Sequence, residues 1–197
     1  MKTKQLEELV LQSLEHEMGG VKIYETAVTC AVNSDLKEEW EKYLDETRTH
    51  VTVLEEICKV LNIDSERETP GRQVVRAVGA TLVKGMTSVA AAGDRQAAEL
   101  VACEAVVLAE TKDHLDWELL GKCADELTGA KAATLKSAYE KIEEQEDEHL
   151  YHTKGWCREL WIQSLGMKAV LPPPEERKQV KTAIGAARAE QEAEKER

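Results

Sequence analysis

The sequence predicts an all-α protein, a four-helix bundle with a long crossover between its second and third long helices. Three observations carry that expectation. Phe is absent, while the strong helix formers Ala, Leu, Glu and Lys dominate. β-branched runs bounded by turn residues are scarce, which leaves little from which to build strands. Four long stretches space their apolar residues by three and four, the repeat of one face of an α-helix.

The first long helix is expected over about Thr3 to Val32, with Leu6, Val10, Leu14, Glu17, Val21, Tyr24 and Val28 on one face. Gly19-Gly20 interrupts it, at roughly 1 kcal/mol per Gly relative to Ala, and permits a close neighbour or a local kink. The second begins after an N-cap at Ser34 or Asp35 and runs to about Asn62. Its stripe is Leu36, Trp40, Tyr43, Thr47, His50, Leu54, Ile57 and Leu61. Thr69-Pro70 then reads as a cap with proline at the first helical position, opening a short helix to about Ala90. That connection is long enough to cross the height of a bundle, so the second and third long helices are expected to be parallel. The third runs from near Asp94 to about Leu127. The fourth runs from about Ala130 to Leu165, with stripe Leu135, Tyr139, Ile142, Glu146, His149, Thr153 and Trp156. This stripe matches the second helix step for step, and the first and third helices match through Glu17/Tyr24 and Glu110/Trp117. The chain therefore reads as two related helix pairs about a pseudo-twofold axis.

Residues 1–167 thus form one domain, large enough for a core without disulfide or zinc staples. Pro172-Pro173-Pro174 stops the last helix, and residues 168–197 form a Pro-rich linker with a charged extension. That extension is a solvated helix, a flexible tail, or an arm docking a second subunit of a homodimer. A net charge of −12 argues against nucleic acid and anionic membrane surfaces as partners and suits a protein that attracts cations. The opening residues lack the pattern of a secretory signal, and no run of eighteen apolar residues occurs. Five dispersed cysteines without a C-x-x-C read as reduced, buried thiols, so the cytoplasm is the expected compartment. They also offer no rubredoxin-type iron knuckle, so a redox role would need an external electron donor.

The chemistry-bearing residues lie near the middle of these stripes. Seven residues on a helix turn through about 700°, so Glu17 shares a face with Tyr24, and Glu110 with Trp117. An ionised carboxylate buried there costs several kcal/mol unless a cation offsets it, and the stripes carry no Lys or Arg. One such carboxylate is ordinarily a boundary residue. Two of them, together with the E-x-x-H of Glu146 and His149 and with His50 at the same depth, point to a two-metal site. Asp113, one turn after Glu110, is a further candidate ligand or an acceptor that orients one. His16, His114 and His152 are expected outside the ligand set. Mixed oxygen and nitrogen donors suit iron and manganese and argue against soft metals; two ions are expected, iron first and manganese as the alternative. Tyr24 and Trp117 are candidate redox neighbours or core filling.

At these residues the chain resembles the ferritin-like superfamily. Glu17-x6-Tyr24 and Glu110-x-x-Asp113 resemble the rubrerythrins. The second helix, from Asp35 through His50 to Glu55, and Glu110-x-x-Asp113-x3-Trp117 are similar to YciF-type stress proteins. The resemblance covers about residues 5 to 165. It implies a di-iron or di-manganese centre held by Glu17, His50, Glu110, Glu146 and His149. The rubrerythrin pattern expects a carboxylate where this chain has Thr47, and Glu46, about 40° from His50 around the helix, is the substitute. The implied activity is reduction of peroxide or dioxygen, or oxidation of Fe²⁺. A metal-binding, stress-related bundle without turnover is the alternative, and a hydrated acidic cavity without metal is a third.

Overall fold

A computed structural model describes residues 2–170, so the expected charged extension lies outside the described residues beyond 170. Five helices follow one another: α1 (Thr3–Cys30), α2 (Ser34–Leu61), α3 (Pro70–Ala91), α4 (Arg95–Asp125) and α5 (Gly129–Ser164). The described residues contain no strand.

Local chemistry sets the helix ends. α1 stops two residues early because Glu99 of α4 accepts hydrogen bonds from the N–H groups of Val32 and Asn33, at 2.7 and 2.6 Å. The α2 cap is Asn33, which corrects the expectation of Ser34 or Asp35. Its side-chain oxygen accepts from the N–H groups of Asp35 and Leu36. Thr69 caps α3 ahead of Pro70, and Asp94 caps α4 through the Ala97 N–H. α2 ends at Asn62, the one non-glycine residue with positive φ among those described (58°), a conformation that Asn tolerates.

Two apolar clusters give the direction of each helix. One joins Leu6, Val10 and Leu14 of α1 to Leu54 and Ile57 of α2, Trp117 and Leu120 of α4, and Leu135 and Ile142 of α5. The other joins Ile23 and Tyr24 of α1 to Leu36 and Trp40 of α2, Ala102 and Val106 of α4, and Trp156 and Leu160 of α5. α1 and α5 therefore run from the first cluster to the second, whereas α2 and α4 both run back. α3 starts beside α1 near Glu8 and Glu15 and delivers Met86 to the second cluster, so it travels most of the height. At 22 residues it is about 33 Å long.

α1 passes through Gly19-Gly20 without a break. The pair admits neighbours on two sides. A Cβ on Gly20 would stand 3.2 Å from the Thr47 methyl of α2, and one on Gly79 of α3 would stand 3.7 Å from the Gly19 backbone. An 18-residue window of α3 reaches a mean hydropathy of 1.2, enough by length and composition alone for a membrane crossing. Arg76 and Lys84 fall within it, so it is not an unbroken apolar run. No disulfide forms among the five cysteines, of which Cys30, Cys58 and Cys103 are buried.

Candidate metal centre

Between the two apolar clusters lies a layer of polar side chains. Glu17 of α1, His50 of α2, Glu110 of α4, and Glu146 and His149 of α5 meet there, each 3 % exposed or less. They form two donor groups, Glu17–His50–Glu146 and Glu110–Glu146–His149, within each of which one ligand atom per residue lies no more than 4.8 Å from the others. Glu146 belongs to both. His50 Nδ1 is 3.1 Å from Glu146 Oε1 and 3.3 Å from Glu17 Oε1. His149 Nδ1 is 3.7 Å from Glu110 Oε2 and from Glu146 Oε1. None of these four approaches has hydrogen-bond geometry, and both Nδ1 atoms and both oxygens of Glu146 are without a hydrogen-bond partner. The two imidazoles stack at 5.7 Å with 23° between their planes, which mirrors the pairing of α2 with α5.

The far side of each ring is held by a chain of hydrogen bonds. His149 Nε2–H donates to Glu46 Oε2 at 2.9 Å, and the Gln145 amide N–H donates to Glu46 Oε1 at 3.0 Å. With its nitrogen committed to a carboxylate, Gln145 presents its oxygen to His50 Nε2, 3.0 Å away, and that nitrogen must donate. Both Nδ1 atoms are thereby aimed at the donor groups. Outer partners of this kind fix the tautomer and orientation of a ligating imidazole. The conformation corrects the expected place of Glu46: it stands behind His149 and joins neither donor group. Thr47, where the resemblance expects a carboxylate, is buried against Gly20.

The neighbouring helices hold the other side. Trp117 Nε1–H donates to Glu17 Oε1 at 2.8 Å, so an aromatic of α4 orients the carboxylate of α1. Reciprocally, Tyr24 of α1 stands by Glu110 of α4. Burial first, and the Glu110 charge second, push its phenol far above the usual range, so it stays protonated. Tyr24 also packs edge-on to His149, at 6.0 Å. Asp113 is buried with one oxygen unpartnered but belongs to neither donor group. Burial, then Glu17, Glu146 and Glu110, hold its carboxyl well above the usual range, so it carries a proton.

Other buried carboxylates have conventional partners. Glu15 takes Arg72 and Arg76, Glu99 takes two backbone N–H groups, Asp116 takes Lys112, and Glu159 takes Arg158. The central carboxylates contact no Lys or Arg and are balanced only by imidazoles. Burial disfavours charge on His50, but Glu17 and Glu146 outweigh it and push the ring up to about 11. For His149 burial is outweighed by Glu110 and Glu46, to about 9. Glu146 moves upward through burial, against the pull of His50 and with Glu110 adding to it. Without a metal, the central carboxylates have only the two imidazoles for company, and both Glu146 oxygens stay unpartnered in a buried layer. Oxygen and imidazole donors at these separations suit divalent cations of the iron and manganese kind.

The remaining histidines lie outside both groups. His16 Nε2 meets the Ala109 carbonyl oxygen at 3.0 Å, His114 pairs with Asp147, and His152 Nδ1 meets the Tyr43 hydroxyl. Sequence reasoning missed Gln145, whose only signal was its place next to a proposed ligand, and the Glu15–Arg72 pair. Protein-family models, curated proteins and solved structures contain no match to this chain.

Proposed function

We propose that the chain is a dimetal-carboxylate protein with the ferritin-like architecture. In this reading α1, α2, α4 and α5 are the four-helix bundle and α3 is its crossover. The observation that carries it is Glu146: buried, shared by both donor groups, and unpartnered at both oxygens. A carboxylate so placed would serve two cation positions at once. Glu17 and His50 would complete one position, and Glu110 and His149 the other. Iron is the favoured metal and manganese the second.

With iron bound, the centre supplies a two-electron couple suited to reducing peroxide or dioxygen, or to oxidising Fe²⁺ as substrate. The chain's own residues hold that centre. Trp117 and Tyr24 set the Glu17 and Glu110 sides, while Glu46 and Gln145 keep both Nδ1 atoms turned inward. A reductant from another protein completes any turnover. Metal analysis of the purified chain, followed by anaerobic Fe²⁺ titration and then peroxide or dioxygen, tests the proposal. Two ions per chain, a new visible absorption on oxidation and consumption of the oxidant are expected; no bound metal removes the reading.

One observation favours metal holding without turnover. Thr47 supplies no carboxylate and Glu46 joins neither donor group, so α2 brings only His50 to the layer. Two bound ions with no consumption of peroxide, dioxygen or Fe²⁺ would select that second reading.

A further inference from the structure

The donor groups are sealed from solvent along most of the bundle, but Glu146 also borders a cavity of about 450 Å³ between α4 and α5. Trp117 lies on the wall beside it, and Glu118, Glu143 and Asp147 lie further out. Glu118 and Glu143 are exposed, and Asp147 is half-buried, so the carboxylates step inward from solvent to the unpartnered Glu146. Against these four acids the wall carries one lysine, Lys122, and the imidazole of His114, which is tied to Asp147 at 2.8 Å.

The wall is shaped as well as charged. Tyr139 of α5 lies against the backbone of Gly121 in α4, where a Cβ would be 2.8 Å from its ring. Only glycine lets the ring lie this close. From there the Tyr139 hydroxyl donates to Glu143, which fixes that carboxylate on the cavity side. A narrow acidic cleft with low-dielectric walls concentrates cations and raises their rate of arrival by about 10- to 1,000-fold.

We infer that this cavity is the port through which divalent cations reach the buried centre, with Glu118, Glu143 and Asp147 passing the ion to Glu146. The inference rests on the dinuclear reading above. Its ligand is a hydrated divalent metal ion, which sheds water as carboxylate oxygens replace it.

Stopped-flow mixing of the metal-free full-length chain with Co²⁺ at low ionic strength, followed by the visible absorption of the bound ion, tests it. The double change Glu118→Gln with Glu143→Gln should slow loading about tenfold and weaken its salt dependence. The number of ions bound at equilibrium should not change. Lys122→Gln should speed loading about twofold. A control with the same change in net charge, Glu38→Gln with Glu41→Gln on exposed positions of α2, should leave the rate nearly unaltered. The port is overturned if the Glu118/Glu143 variant loads at the unmodified rate, or if the α2 control slows as much. In both cases two ions still bound would leave the dinuclear centre standing. Failure of the unmodified chain to bind Co²⁺ at all would remove centre and port together.

Discussion

Glu15 and Glu17 stand two residues apart on α1, both buried, on opposite faces of the helix. Glu15 faces α3, where Arg72 donates to it at 2.7 Å and Arg76 adds two more bonds. Glu17 faces the central layer, where a tryptophan N–H and an imidazole are its company and one oxygen has no partner. The first carboxylate is complete as the chain folds. The second, with Glu110 and Glu146, has only imidazoles to balance it, and in the proposed reading a cation completes it. Buried charge is expensive in both places, so the difference lies in what is there to neutralise it: arginines of the chain in one, imidazoles and, in the proposed reading, a cation in the other.

The largest effect expected from breaking this contrast is on the complete side. Arg72→Met leaves Glu15 buried with only the half-exposed Arg76, and should lower the stability of the metal-free chain by about 3 kcal/mol. Urea unfolding in the presence of a chelator measures it. A change near zero would mean that Arg76 alone suffices for Glu15.

On the incomplete side, stability should depend on metal. An ion that binds only the folded chain stabilises it by about 2.7 kcal/mol at a free concentration one hundred times its dissociation constant. The thermal midpoint should therefore rise with added Mn²⁺ or Fe²⁺. Glu146→Gln should abolish that rise, because both donor groups lose their shared oxygen. Arg72→Met should keep it, starting from a lower midpoint. A midpoint indifferent to metal in the unmodified chain would count against the centre.

This contrast also marks how far the sequence could be read. Periodicity places Glu17, His50, Glu110, Glu146 and His149 on apolar stripes because each helix face has only one way to turn inward. The depth match follows, since short turns fix the register of neighbouring helices. What periodicity lacks is azimuth between helices that are distant in sequence. Glu46 lies 40° off the stripe, and whether it reaches inward or behind His149 depends on where Gln145 of α5 stands. The Arg72–Glu15 pair depends likewise on α3 lying against α1, and the Asn33 cap on Glu99 drawing the α1–α2 turn toward α4.

The next effect is smaller and falls on the hydrogen bonds behind the rings. Glu46→Ala leaves His149 Nε2 and the Gln145 amide without their acceptor, so His149 is freed to turn. Metal affinity should fall about ten- to a hundredfold, as for other outer partners of ligating histidines. Titration calorimetry with Mn²⁺ reads the loss, which should be confined to one of the two ions if Gln145 continues to hold His50.

The smallest expected change reverses the sign seen at Arg72. In the metal-free chain the central carboxylates have the His50 and His149 rings beside them and no Lys or Arg. Burial, with Glu110 adding to it, pushes the Glu146 carboxyl up to about 7, so keeping it ionised near neutral pH costs stability, and neither oxygen has a partner. Glu146→Gln keeps the shape and removes the charge. Under chelating conditions it should raise stability by about 1 kcal/mol, although it removes the central ligand. Urea unfolding of the two metal-free proteins side by side checks it. A loss of stability would mean that Glu146 is already satisfied within the folded chain, as Glu15 is, and that the layer does not wait for a cation.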